Sequence, residues 1–508
     1  MKEEYENILD EGGLAPFSLA EIIQHCIQPT VSDGVKHMGK ILLWSLIFRL
    51  LTQTVSIPNW TKHAASIVTG TLLACNFFNA SIFYLLALIT FGYVVMAASL
   101  AGVRGPVVAA MVLSFNLVCE TWLADPVSWH QVRGAVMICS MKIISVGFDI
   151  DEGERKKTAA KPAEGQQEPL VETKSRNGAR QRTARLSKST SEGTFENKKV
   201  DSSQENTIKQ DQETLITMPG WFEFAGYCLC PGTVVLGPWI PFSQYLAIFI
   251  QPKWNLNWIV KIVCTVFFSL MFLTISTCWN PWLIPDNSWK WWIAYRDAMS
   301  FRASHYFVSF MSEATAVAAG LGATQVGAST LWQLQVTLPH NIEVPRSLVD
   351  VVVSWNLPMH AWLKKYVFKP TKKGAGPGIA VFATYFASTL LHGLSAQLGA
   401  VLFSLGLYTW VEHTLRGKLA RIIDASIEAR RDTDEKYRHR EGTAWVILIN
   451  LGFGLMTMFH LAYLGVMFDQ SPESSAGYSW SHTLAKWRHL DYTSHYVVAA
   501  LLLINGLI

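Results

Sequence analysis

Apolar stretches of roughly membrane-spanning length recur along this whole chain, and that recurrence limits its fold more than any other feature. A hydrocarbon core about 30 Å thick is crossed by a helix of about 20 residues. Runs of this kind fall near 40–57, 64–80, 81–102, 106–124, 133–148, 226–250, 258–279, 301–320, 377–394, 396–413, 443–467 and 493–508. The count is an upper bound. The runs 133–148, 301–320 and 377–394 are short or carry polar groups, so they are expected to be re-entrant or buried among other helices. Irregular backbone at that depth needs protein or water to satisfy it. Charged residues make up 16% of the 508, against about 25% in soluble domains. The 20 tryptophans suit the headgroup boundary. The predicted fold is an all-α, multi-pass membrane bundle.

Residues 149–218 stand apart. Their Glu, Lys, Arg, Ser and Gln cannot bury enough apolar surface to offset chain entropy. A disordered polar loop is expected there, dividing the chain into a polar or amphipathic segment (1–38), a first transmembrane group (39–148) and a second, catalytic core (219–508). Met1 to Glu11 is acidic, and the first long apolar run begins near Ile41, so insertion is expected through uncleaved spans. Lysine and arginine cluster at Lys364–Lys373, at Arg416–Arg421 and at Arg430–Arg440, which places those connections on the cytosolic side. A net charge of +4 gives no reason to expect nucleic acid. The 8 cysteines show no metal-binding spacing. Cys75, Cys119, Cys139, Cys264 and Cys278 read as small hydrophobes in helices.

His392 is the most informative residue. It sits in Tyr385-Phe386-Ala387-Ser388-Thr389-Leu390-Leu391-His392-Gly393-Leu394-Ser395, where an ionisable group is costly and needs a partner or a function. A neutral imidazole can take a proton from a hydroxyl, and Gly393 would let a substrate approach the backbone. Asn356, in Ser354-Trp355-Asn356-Leu357-Pro358, precedes a proline break. Its amide suits orienting a base or a carbonyl, or simply capping a helix. The lysines at 364–373 could bind phosphates, although cytosolic placement alone explains them. The Gly- and Pro-rich stretch 231–242 breaks a span. His305, Glu313, His413 and His460 read as satisfied structural polar groups.

Trp355-Asn356 followed by Leu391-His392-Gly393 resembles the membrane-bound O-acyltransferase family. So do Val127-Ser128-Trp129-His130, Val235-Leu236-Gly237-Pro238-Trp239-Ile240, Ser312-Glu313-Ala314-Thr315, Val411-Glu412-His413 and Phe459-His460-Leu461-Ala462-Tyr463-Leu464-Gly465, in that order. The resemblance implies a bundle of about eleven transmembrane helices in the endoplasmic reticulum membrane. It also implies transfer of a palmitoleoyl group from palmitoleoyl-CoA, entering from the cytosol, to a serine on a hairpin of Wnt proteins, entering from the lumen. CoA thioester and membrane lipids would be its small-molecule partners, and no cofactor or metal is expected. His392 and Asn356 would be catalytic. Trp355, Gly393 and Ser395 would shape the acyl site, and Arg346, Lys364, Lys365 and Lys369 would meet CoA. The insert at 149–218 departs from the family pattern without touching these residues. The open alternatives are another acyltransferase of the family, with a lipid or a different secreted acceptor, a proton-coupled transporter, and a non-catalytic scaffold.

Overall fold

A computed structural model describes residues 18–53, 58–159, 217–250, 254–326, 329–393, 395–431, 436–468 and 480–508. Helix α1 occupies 19–53, in which the π-helical turn Ile23–Ile27 joins Leu19–Ile22 to Gln28–Gln53. Ser18 opens it with a reciprocal cap: its Oγ accepts from the Glu21 N–H, while the Glu21 carboxylate accepts from the Ser18 N–H. The boundary expected at 38 therefore falls inside a helix. Helices α2 (Asn59–Phe78) and α3 (Ile82–Ala98) follow, then α4 (Arg104–Val118), which runs on through the π-helical turn Cys119–Leu123. Helix α5 spans Pro126–Ala159, about 51 Å at 1.5 Å per residue.

Helix α5 corrects two expectations. The run 133–148 is neither short nor re-entrant, because it is the middle of this long helix, but it is buried among other helices, as the alternative expectation had it. The polar loop cannot begin at 149, since Asp149 and Asp151 are buried on α5. Asp151 accepts from the N–H groups of Gly102 and Gly105 at 2.9 and 2.7 Å. The remainder of the expected loop, 160–216, lies outside the described residues.

The second half begins with α6 (Trp221–Cys228) and α7 (Phe242–Ala247). The run 226–250 is thus not one span. Its glycines and prolines leave 229–241 non-helical yet buried. Lys142 of α5 satisfies this backbone, donating to the carbonyls of Tyr227 and Cys228 and to Thr233 Oγ1 at 2.9, 3.3 and 2.7 Å. Gly70 of α2 allows the closest approach, since a Cβ there would lie 1.6 Å from the Leu229 carbonyl oxygen.

Helix α8 (Leu256–Thr274) continues through Ile275–Trp279 to Leu283, and α9 (Lys290–Ala318) packs antiparallel to it. Trp258 donates to the Val317 carbonyl at one end, and Ser276 to the Ser300 carbonyl at the other. A hairpin of β1 (Ala323–Val326) and β2 (Ser329–Trp332) departs from the all-α expectation, in the register Ala323↔Trp332 to Val326↔Ser329. Short helices α10 (Pro339–Glu343), α11 (Leu348–Trp355) and α12 (Leu357–Leu363) lead into a π-helical turn, Lys364–Phe368, and Lys369–Ala375. Helices α13 (Pro377–Leu391), α14 (Ala396–Ile422), α15 (Ala444–Gly465), α16 (Trp480–His489) and α17 (Thr493–Leu507) complete the order.

One hydrophobic core runs from Ile41 of α1 to Leu391 of α13, so the two expected transmembrane groups share an interior. Among the described residues, four helical stretches are long and apolar enough to cross a membrane: Asn59–Ala98, Arg104–Leu123, Leu256–Leu283 and Ala444–Gly465. A disulfide joins Cys26 of α1 to Cys278 beyond α8, correcting the reading of Cys278 as a small hydrophobe. The Gln53 end of α1 lies at the opposite face. There Arg49 donates to the Ile248 carbonyl and lies over the Trp332 ring.

Candidate active site

Two breaks in helical structure bring the sequence candidates together. The first separates α11 from α12. Proline at 358, the second residue of α12, fits the first turn of a new helix, where its missing N–H costs no intrahelical bond. Asn356 sits in the break at φ −150°, ψ 93° and serves as N-cap of α12, its Oδ1 accepting from the Met359 N–H at 3.0 Å. The second break ends α13. His392 is its C-cap, with its N–H directed to the carbonyls of Ser388 and Thr389. Gly393 turns the chain at φ +90°, and Ser395 caps α14 by accepting from the Leu398 N–H at 3.3 Å.

Both breaks open onto a cavity of about 2200 Å³, against about 300–1,000 Å³ for an ordinary small-molecule site. His392, Asn356, Trp355 and Ser395 all line it. One wall is aromatic. Phe468 stacks on Phe301 at 4.1 Å, Phe301 lies 6.2 Å from Trp355, and Trp355 stacks on His305 at 4.3 Å and 11°. Such a wall suits an acyl chain. At the disulfide face the cavity is lined by Ser276, Thr277 and by Arg296 with the two carboxylates it pairs, Asp286 and Asp297. At the opposite face it is lined by Lys364, Lys369, Lys372, Arg430 and His413.

Three candidates stand elsewhere. Arg346 is spent on structure: it donates to the carbonyls of Glu428 and Ser426 and pairs with Glu441 at 2.5 Å. It pins the segment after α14 and does not line the cavity. Lys365 pairs with buried Asp149 of α5 at 2.6 Å and is likewise absent from the lining. Gly393 does not line the main cavity, and a side chain already fills its open side. A Cβ there would lie 2.6 Å from Glu120 Oε1.

His305 was read as structural, and it is more than that. It lines the cavity, and its Nε2–H donates to the Trp355 carbonyl at 3.1 Å, so it holds the residue before Asn356 by both bond and stack. No local motif marks it, because its partner is 50 residues away. His413 also lines the cavity. Glu313 and His460 do what was expected of them. Glu313 accepts from the Val336 N–H and pairs with Lys261, and His460 Nδ1 bonds Ser494 Oγ at 2.7 Å.

The family model of the membrane-bound O-acyltransferases matches residues 128–422, which contain both breaks. Human "Protein-serine O-palmitoleoyltransferase porcupine" is 34% identical across 95% of this chain and 97% of its own length. The mouse protein of that name is 34% identical with the same coverage. The Anopheles gambiae protein is 29% identical over 95% of this chain and 92% of its own. With the family's stretch covering both the Asn356 and His392 breaks, and with relatives alike over nearly their whole length, this chain belongs to the membrane-bound O-acyltransferase family.

Proposed function

We propose that this enzyme moves a palmitoleoyl group from its CoA thioester to a serine hydroxyl of Wnt proteins, in the endoplasmic reticulum membrane. The observation that carries the reading is that one cavity joins His392 and Asn356 to a cationic face at one end and a disulfide-bearing face at the other. A disulfide belongs to an oxidising compartment such as the reticulum lumen, and clustered lysines belong to the cytosolic side. The CoA phosphates then meet Lys364, Lys369, Lys372 and Arg430 from the cytosol, and the acceptor arrives from the lumen. Eleven helices, α1 to α5, α8, α9, α13 to α15 and α17, are set in the bilayer under this reading.

The chemistry follows from the groups present. A serine hydroxyl is a weak nucleophile and needs a base within hydrogen-bond reach. His392 takes the hydroxyl proton as the serine oxygen attacks the thioester carbonyl. Oδ1 of Asn356 is committed to its cap, which leaves Nδ2 to donate to the carbonyl oxygen as negative charge grows there. Collapse breaks the C–S bond, forms the serine ester and returns the proton to the departing CoA thiolate. Trp355 and Ser395 border the acyl chain.

The test is transfer by purified enzyme, using palmitoleoyl-CoA and a disulfide-bonded Wnt hairpin peptide. Wild type should acylate the serine, and His392→Ala should lose at least about 100-fold in rate while still binding palmitoleoyl-CoA. Binding without transfer by wild type would sink the reading, and transfer to a lysolipid instead would favour a lipid acceptor.

A further inference from the structure

The side chain that fills the space beside Gly393 comes from the first half of the chain. Gly393 adopts φ +90°, a region open chiefly to glycine. A Cβ built on it would lie 2.6 and 2.7 Å from the two carboxylate oxygens of Glu120. The Glu120 carboxylate therefore rests against the backbone of the residue that follows His392. Glu120 belongs to the π-helical turn Cys119–Leu123 and lines the same cavity as His392. It lies outside the stretch 128–422 that carries the family likeness.

The turn so contacted is short. Helix α13 closes with the N–H of Gly393 on the Leu390 carbonyl, and α14 starts from its cap at Ser395. The backbone at Gly393, directly after His392, is thus bounded on one side by the end of α13 and on the other by a side chain of α4's π-helical extension.

The geometry points to Glu120 as a positioning residue for acyl transfer, one whose carboxylate props the turn behind His392 and thereby fixes where the imidazole points. Glycine at 393 is needed because any side chain would displace the prop. This inference rests on the acyl-transfer reading, and its failure can be told apart from a failure of that reading.

The measurement is steady-state transfer from palmitoleoyl-CoA to the hairpin peptide by the full-length purified enzyme. Against an active wild type, Glu120→Ala should lower kcat between about tenfold and about 100-fold, the scale of a misplaced catalytic group. KM for both substrates should stay within about twofold, as for an interaction felt only in the transition state. Glu120→Gln keeps the shape and one acceptor oxygen, so it should recover most of the loss. Gly393→Ala should reproduce the defect. The double variant Glu120→Ala/Gly393→Ala should be no slower than Gly393→Ala alone, because the backbone strain at φ +90° is common to both and the alanine already displaces the carboxylate. A wild-type kcat in Glu120→Ala, or losses that multiply in the double variant, overturns the proposal. So does a raised KM at unchanged kcat, since Glu120 would then be a substrate contact. Should Glu120→Ala fail to fold, Glu120→Asp decides, since it keeps the charge but withdraws the carboxylate from Gly393 by one methylene: a lowered kcat at unchanged KM supports the prop, and a wild-type kcat removes it. No transfer by wild type would fail the acyl-transfer reading itself.

Discussion

The Oδ1 of Asn356 caps α12, and in the proposed mechanism its Nδ2 donates to the reacting carbonyl, so substitution can separate the two tasks. Asn356→Ala removes both and should cost about 1 kcal/mol of stability along with most of the activity. Asn356→Asp keeps the cap but loses the donor. It is expected to melt close to wild type yet transfer acyl about 100-fold more slowly; thermal unfolding in detergent and initial rates on the same sample check this. Trp355 poses a related question. Its position depends on the His305 bond and stack, so His305→Phe, which preserves a ring but not the donor, should lower kcat less than His305→Ala.

At the scale of elements, the Cys26–Cys278 bond closes a separation of 252 residues and fastens α1 to the end of α8. Cross-links of this kind stabilise by about 2–5 kcal/mol. Cys26→Ser and Cys278→Ser should each lower the melting temperature by the same amount, and the double variant should be no worse than either; unequal or additive losses would mean the bond does not form. Arg346 belongs to the same scale. Together with Arg416, which pairs with Glu412 at 3.0 Å and donates to the Ile427 carbonyl at 2.7 Å, it folds the segment that carries Arg430 to the cavity. Arg346→Ala is therefore expected to reduce stability more than a lysine change at the cavity mouth does, because the half-buried Arg346 holds two backbone carbonyls as well as Glu441, and all lose their donor at once.

Across the whole molecule, the two ends of the cavity differ in charge. Lys364→Glu combined with Lys369→Glu should raise KM for palmitoleoyl-CoA about tenfold or more with little change in kcat. The effect should shrink as salt is added. Lys365→Glu should instead destabilise the fold by breaking its pair with Asp149, and measured KM alongside melting temperature separates the two outcomes. Much of this protein could be read from composition and local pattern. Membrane residence follows from apolar runs, because each run must satisfy its own backbone in lipid and so reveals itself locally. That His392 and Asn356 are unusual is visible for the same reason, since a titratable group in an apolar run and an amide two residues before a proline are local anomalies, and the structure brings both to one cavity. What local pattern could not reveal were pairings made at a distance. Lys365 with Asp149, Arg346 with Glu441, Cys26 with Cys278, and His305 with Trp355 depend on which helices pack together, and charge or apolarity in one segment does not name its partner in another. The open side of Gly393 is the sharpest case. Next to His392 it reads as room for substrate, and the fold fills it with Glu120, because α4's π-helical extension happens to end beside the turn between α13 and α14.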